Sequence, residues 1–272
     1  MDGHLSGNVG HPGPGPGHPV PAGFPACPRC PYRHRLEPAV CLACMESSTG
    51  QGDGAVPGGT LLRCPSCGAR RRPGWPCPTR WCGRADRGWS VVWSVGVHTG
   101  ALKSVILRYK YGGERSWAGV LGRLLAGYLD RHGPWFDDFD LLTPMPAFTG
   151  PGARRPWDPV RRMVTELSLL TGPLWTVGWD LVGKSSETPP MSGADRRTRQ
   201  SLAARRLRPA LTVPDPEAVR GARILVVDDV LAEGSTLREV ALALRAAGAR
   251  EVAGLVVARP EWLGGSPTTA AR

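Results

Sequence analysis

The chain has 272 residues, 41% of them hydrophobic, which gives room for one substantial domain and a small accessory one. No apolar run reaches the roughly eighteen residues of a membrane span, and the first thirty residues lack the charged start and apolar stretch of a secretory signal, so the expected compartment is the cytoplasm. The net charge of +11 comes almost wholly from arginine, lysine occurring only at 103, 110 and 184; such a balance suits phosphate or nucleic acid, although GC-rich coding enriches the same residue types.

Residues 1–25 are almost all Gly, Pro, His and small side chains. Such a segment buries too little apolar surface to offset its ordering entropy and is read as a disordered tail, as is 263–272. His4, His11 and His18 belong to that solvated tail. Residues 26–87 hold all eight cysteines, with a Gly-rich polar linker at 46–60 between two clusters.

From residue 89 the pattern becomes that of an α/β domain, expected over 89–262. Strands are expected at 89–98, 139–146, 174–183, 222–230 and 251–259. Helices are expected at 101–113, 116–132 with Ser116 as N-cap, 158–172 with Asp158 as N-cap and Gly172 past its end, and 235–249. The run 222–230 is continuously apolar, as in a strand buried on both faces. With 235–249 and 251–259 it forms a parallel βαβ crossover. Segment 89–132 is expected to form a helical or short-strand hood. The Arg-rich stretch 196–208 reads as a solvated helix face, as do Lys103 and Lys110.

The cysteines fall as Cys27, Cys30, Cys41 and Cys44, then Cys64, Cys67, Cys77 and Cys82, each set opened by two cysteines three positions apart. Paired thiolates at that spacing share one tetrahedral metal, and four of them close a structural zinc site. Disulfides fit less well, because nothing marks the chain for export. Pairing within each set would give two tandem zinc ribbons; pairing of the first knuckle with the third remains open. Arg70, Arg71 and Arg72 follow a knuckle and read as a solvated basic face. Trp75, Trp81, Trp89 and Trp93 read as core or interface anchors.

The segment 226–237 places Asp228 and Asp229 at the carboxyl end of the buried strand, before a short loop and a helix start. Ligands of open α/β sheets bind outside those strand ends, and amides at a helix start suit an anion such as phosphate. The alternative is that Asp229 caps a turn and Ser235 caps the helix.

At these residues the sequence resembles the type I phosphoribosyltransferases. The resemblance implies a parallel sheet flanked by helices and behind it a transferase, pentosyl-transferring reaction class. Asp228 and Asp229 would be the catalytic carboxylates holding the ribose hydroxyls of phosphoribosyl pyrophosphate. Ala232, Glu233, Gly234, Ser235 and Thr236 would hold its 5-phosphate, and Mg2+ would bridge pyrophosphate and ribose. Ala232 stands where some purine enzymes carry an acid/base carboxylate. Glu233 replaces a phosphate-binding threonine; facing a phosphate it would repel it by about 1 kcal/mol in water and several when desolvated, so an outward side chain with an inward N–H is the reading.

The wider pattern resembles the ComF-like branch, linked to competence for DNA uptake, which joins a cysteine-rich N-terminus to such a domain. The shared motifs are LRYKYGG at 107–113, Pro144-Met145-Pro146, the arginines Arg154 and Arg155 near Trp157 and Asp158, and TPPM at 188–191 with Met191 where glutamine is usual. Arg154 and Arg155 are then candidates for the pyrophosphate, with surface solubility the equal alternative. Two readings follow: Mg2+-dependent phosphoribosyl transfer to an acceptor the sequence does not name, or a non-catalytic protein using ribbons and basic surface to bind nucleic acid or protein. The oligomeric state is not legible.

Overall fold

A computed structural model describes residues 62–64, 66–71, 74, 76–77, 79, 81–189, 198 and 201–260. The two tails, the linker, the first four cysteines, Arg72, Trp75, Met191 and most of 190–200 lie outside the described residues. Its centre is a four-stranded parallel sheet. The strands are β3 (Val92–Val97), β4 (Leu141–Pro144), β7 (Arg223–Val230) and β8 (Glu251–Arg259), in the order β3-β8-β7-β4. The remaining strands are two-residue ladders: β1 (Leu62–Arg63) with β2 (Arg70–Arg71), and β5 (Gly183–Lys184) with β6 (Leu211–Thr212). The longer helices are α1 (Gly100–Tyr111), α2 (Trp117–Arg131), α3 (Pro159–Thr171) and α4 (Ser235–Ala246).

The apolar runs of β7 and β8 are both central because each is covered on two faces: Ile224 to Val227 and Val252 to Ala258, apart from glycine, are buried core. One face carries α2 packed against α3. That packing is close at Gly122, where a Cβ would stand 2.6 Å from the Glu166 Cβ and 2.9 Å from the Leu167 backbone nitrogen. Backbone cannot yield as a flexible side-chain tip can, so Gly122→Val is expected to lower stability by about 2–3 kcal/mol, within the range for overpacked cores, as a drop in the urea midpoint at unchanged slope.

The segment 89–132 does not form a hood. Its strand joins the main sheet beside β8, because Val92, Val95 and Val97 carry enough buried apolar surface to extend the sheet. The stretch 174–183 contributes only one parallel bridge, Leu142 to Val177, and the short β5. Trp175, Val177 and Trp179 are half-buried packing groups against the core. Asp158 caps α3, accepting from the Arg161 N–H at 2.9 Å, and Gly172 ends it at φ 55°. Ser116 makes no cap bond and is itself helical (φ −59°, ψ −23°). Around the described part of the Arg-rich stretch, Arg205 and Arg206 are exposed, whereas Arg208 pairs with the buried Glu239 at 2.6 Å. Among the described residues, no helix is long and apolar enough to cross a membrane.

Candidate ribose-phosphate site and cysteine knuckle

Asp228 and Asp229 are the sixth and seventh residues of β7, so alternation directs them to opposite faces. Asp228 shares a face with Val226 and, across the ladder, with Gly254, against which Leu237 of α4 lies. Asp229 faces the other way and meets α1. There Lys110 places its Nζ 3.0 Å from Oδ1 and 2.7 Å from Oδ2 of Asp229, with side-chain exposures of only 19% and 4%. Lys110 is therefore not solvated. Burial works to lower its pKa, but Asp229 and Asp228 outweigh that and hold it above the usual lysine range. Burial and the neighbouring charge of Asp229 push the Asp228 carboxyl up to about 8, against the pull of Lys110. Asp228 Oδ1 also accepts from the Asp229 N–H at 2.8 Å.

After β7 the chain turns through 231–234 into α4. Gly234 takes φ 84°, a left-handed conformation that glycine adopts without strain. The turn aims the unpaired N–H groups of the first helical turn, with the positive end of the helix dipole, towards the carboxyl end of the sheet. Ala232 and Thr236 are half-buried, and Ser235 is buried without capping the helix. Glu233 does not point outward: it is 5% exposed and is engaged within the protein.

Arg154 and Arg155 sit on the loop after β4. Arg154 is exposed, and its backbone N–H donates to Glu187 Oε2 at 2.9 Å, tying this loop to the segment after β5. The Arg155 guanidinium lies 5.5 Å from the ring centre of Tyr111, and its Nη1 is buried with no hydrogen-bond partner among the described residues. Lys110 approaches the same ring at 5.9 Å. Lys184, whose pKa burial lowers, feels both arginines and stands 4.0 Å from Glu187. A rim of cations thus runs beside the acidic pair, suited to a polyanion whose hydroxyls reach the carboxylates. His98, just past β3, faces the same charges; burial and Lys103 lower its pKa, and its Nε2 is buried without a partner among the described residues.

Residues 167–261 match the family model of the phosphoribosyl transferase domain. The C-terminal part of the chain carries that domain. The match spans the end of α3, β7, the acidic loop, α4 and β8, so the residues just described lie in it apart from those contributed by 98–155. No curated protein matches the sequence of the chain.

The knuckle precedes the phosphoribosyl transferase domain. Cys64, Cys67, Cys77 and Cys82 bring their sulfurs within 4.8 Å of one another, with 3.2 Å between Cys64 and Cys82 and 3.4 Å between Cys67 and Cys77. Four thiols, with no other ligating group beside them among the described residues, fit one tetrahedral zinc and leave no open position for chemistry. Cys27, Cys30, Cys41 and Cys44 lie outside the described residues. Trp81 and Trp89 are buried at the junction with the domain, and Trp93 packs edge-on to Phe136 and Phe139.

Sequence reasoning missed Lys110, Lys184 and His98. One signal was available: in a chain that uses arginine almost everywhere, two of its three lysines stand at this rim.

Proposed function

We propose that the chain is a ComF-like phosphoribosyltransferase that binds phosphoribosyl pyrophosphate, or a closely related ribose phosphate, with Mg2+ at the carboxyl end of β7. The observation that carries this reading is the Asp228–Asp229 pair, ending a central parallel strand directly before a left-handed glycine and a helix start. Asp228 and Asp229 accept from the ribose hydroxyls. The amides of Ala232 to Thr236, with the Ser235 and Thr236 hydroxyls, hold the 5-phosphate. Arg154 and Arg155 take the pyrophosphate, the second through its unpartnered buried nitrogen. Lys110 holds Asp229 in place through both of its carboxylate oxygens. Asp228, together with oxygens of the ligand, would hold Mg2+, which would supply positive charge to the departing pyrophosphate. The residues of the chain position the ribose and stabilise the cationic transition state. Ala232 supplies no proton shuttle at the position where some purine enzymes carry a carboxylate, which favours an acceptor that needs none. The domain begins at 89, and Cys64, Cys67, Cys77 and Cys82 ahead of it form a zinc ribbon.

Calorimetric titration of the full chain with phosphoribosyl pyrophosphate and Mg2+ tests the assignment. Binding is expected, and its loss in Asp228→Asn with Asp229→Asn; absence of binding at millimolar ligand removes the reading. The pH dependence has a defined sign. Asp228 holds its proton up to about 8, and binding of hydroxyls and cation requires the carboxylate. Affinity should therefore rise by up to about tenfold per pH unit towards that value, and be flatter in Asp228→Asn. Stability runs the opposite way: the folded state keeps a proton that an unfolded aspartate near 3.8 releases, so this residue makes the fold less stable as pH rises between the two.

A further inference from the structure

The cysteine knuckle and the phosphate loop are far apart in sequence but in direct contact. Trp81, next to Cys82, donates its indole N–H to Ser235 Oγ at 3.1 Å in a buried hydrogen bond. An indole N–H is a donor only, so Ser235 accepts through a lone pair and its own O–H proton remains to donate. The indole is itself held. Arg238 of α4 lies 4.5 Å from its ring centre and Arg84 lies 5.4 Å away. Both arginines bond Asp86, each at 2.7 Å. Arg238 also reaches Glu239 at 2.8 Å. On the other side Arg259, the last residue of β8, donates to the Cys67 carbonyl at 2.7 Å and to the Thr79 hydroxyl. The knuckle is thus clamped to the first turns of α4, which follows the phosphate loop, and to the end of β8, whose Ala258 carbonyl accepts from the Leu231 N–H of that loop at 3.1 Å.

We propose that the four-cysteine knuckle braces the phosphate loop, and that Trp81 is the positioning residue that holds the Ser235 hydroxyl ready for a bound phosphate. The proposal rests on the ribose-phosphate reading for its ligand but not for its mechanical part. Because coupling between sites is reciprocal, a metal held at the knuckle tightens ligand binding, and ligand at the loop tightens metal binding by the same factor.

Trp81→Phe keeps a ring under Arg238 and removes only the donor. Amide hydrogen exchange over 231–238 is compared, without ligand, in the full-length wild type, in Trp81→Phe and in chelator-treated wild type, with zinc content measured in each. Exchange of these amides should quicken on the order of fivefold in Trp81→Phe, the factor a neutral hydrogen bond supports, at unchanged zinc content, and at the same amides after chelation. Unchanged protection in Trp81→Phe overturns the proposal, as does loss of zinc from that variant. Chelation that also exposes the amides of β8 reports general unfolding, and the Trp81→Phe comparison then decides alone. With phosphoribosyl pyrophosphate and Mg2+, Trp81→Phe and Ser235→Ala should each weaken Kd about fivefold and, combined, by no more than the larger single loss. Losses that multiply overturn the positioning role. If protection changes as expected while even wild type binds no ligand, the brace stands and the ribose-phosphate assignment falls.

Discussion

Asp229→Ala should lower the stability of the protein by about 3 kcal/mol, the scale found when one member of a buried ion pair is removed. Lys110 has a side-chain exposure of 19% and both Asp229 oxygens within 3.0 Å, so the substitution leaves an ammonium without its principal counterion. The loss falls at the lower end of that scale because Asp228 remains close enough to act on Lys110. With Asp229 gone, the repulsion that helps keep Asp228 protonated is relieved, and its carboxyl should ionise at a lower pH. The double replacement Lys110→Met with Asp229→Leu is expected to recover most of the loss, since a buried pair replaced by apolar groups of similar size is often neutral. Urea denaturation of the two variants and the wild type reads the result. Recovery in the double variant together with lost ligand binding would separate the role of the pair in the fold from its role in the site.

Cys67→Ser should release the metal of the second cysteine set and detach its knuckle. Cys67 is fully buried, its carbonyl is held by Arg259, and its sulfur lies among those of Cys64, Cys77 and Cys82. Structural zinc in small thiolate modules contributes about 10 kcal/mol or more to their folding, which the few apolar side chains of 62–82 cannot replace. The main sheet has its own core and should stay folded. The expected outcome is one zinc fewer per chain by metal analysis and new protease cleavage within 62–87, with the four strands of the main sheet still protected. Retention of the full zinc content would show that Cys67 is not a ligand.

The βαβ unit at the C-terminal end was legible almost to the residue. A continuous apolar run such as 224–227 has few destinations other than a doubly covered strand, and the helix after Gly234 has an unambiguous apolar stripe. The stretch 174–183 read as a strand because aromatic and branched residues alternate there, but the alternation serves packing by Trp175, Val177 and Trp179 against the core. Asp228 and Asp229 stood out because two carboxylates at a buried strand end demand partners. The partner itself did not: Lys110 comes from a helix 119 residues earlier, and its local pattern is that of an ordinary amphipathic helix. Trp81 read as an anchor, but nothing local to either residue announced that it donates to Ser235.

The strand order has a consequence for how the chain is made. β8 lies between β3 and β7, so the strand that reaches the ribosome exit last is the one that joins the early half of the sheet to the late half. Until residues 251–259 emerge, β3 has no neighbour in the sheet, and the knuckle lacks the arginine that ties it down. The first strand pair of the main sheet available to the nascent chain is β4–β7, after α2 and α3 can already pack together, and closure of the sheet must wait until β8 has emerged. Such an order leaves the edge of β3 that β8 will cover bare while residues 98–250 are made, the situation in which parallel sheets depend on rapid completion or on chaperones.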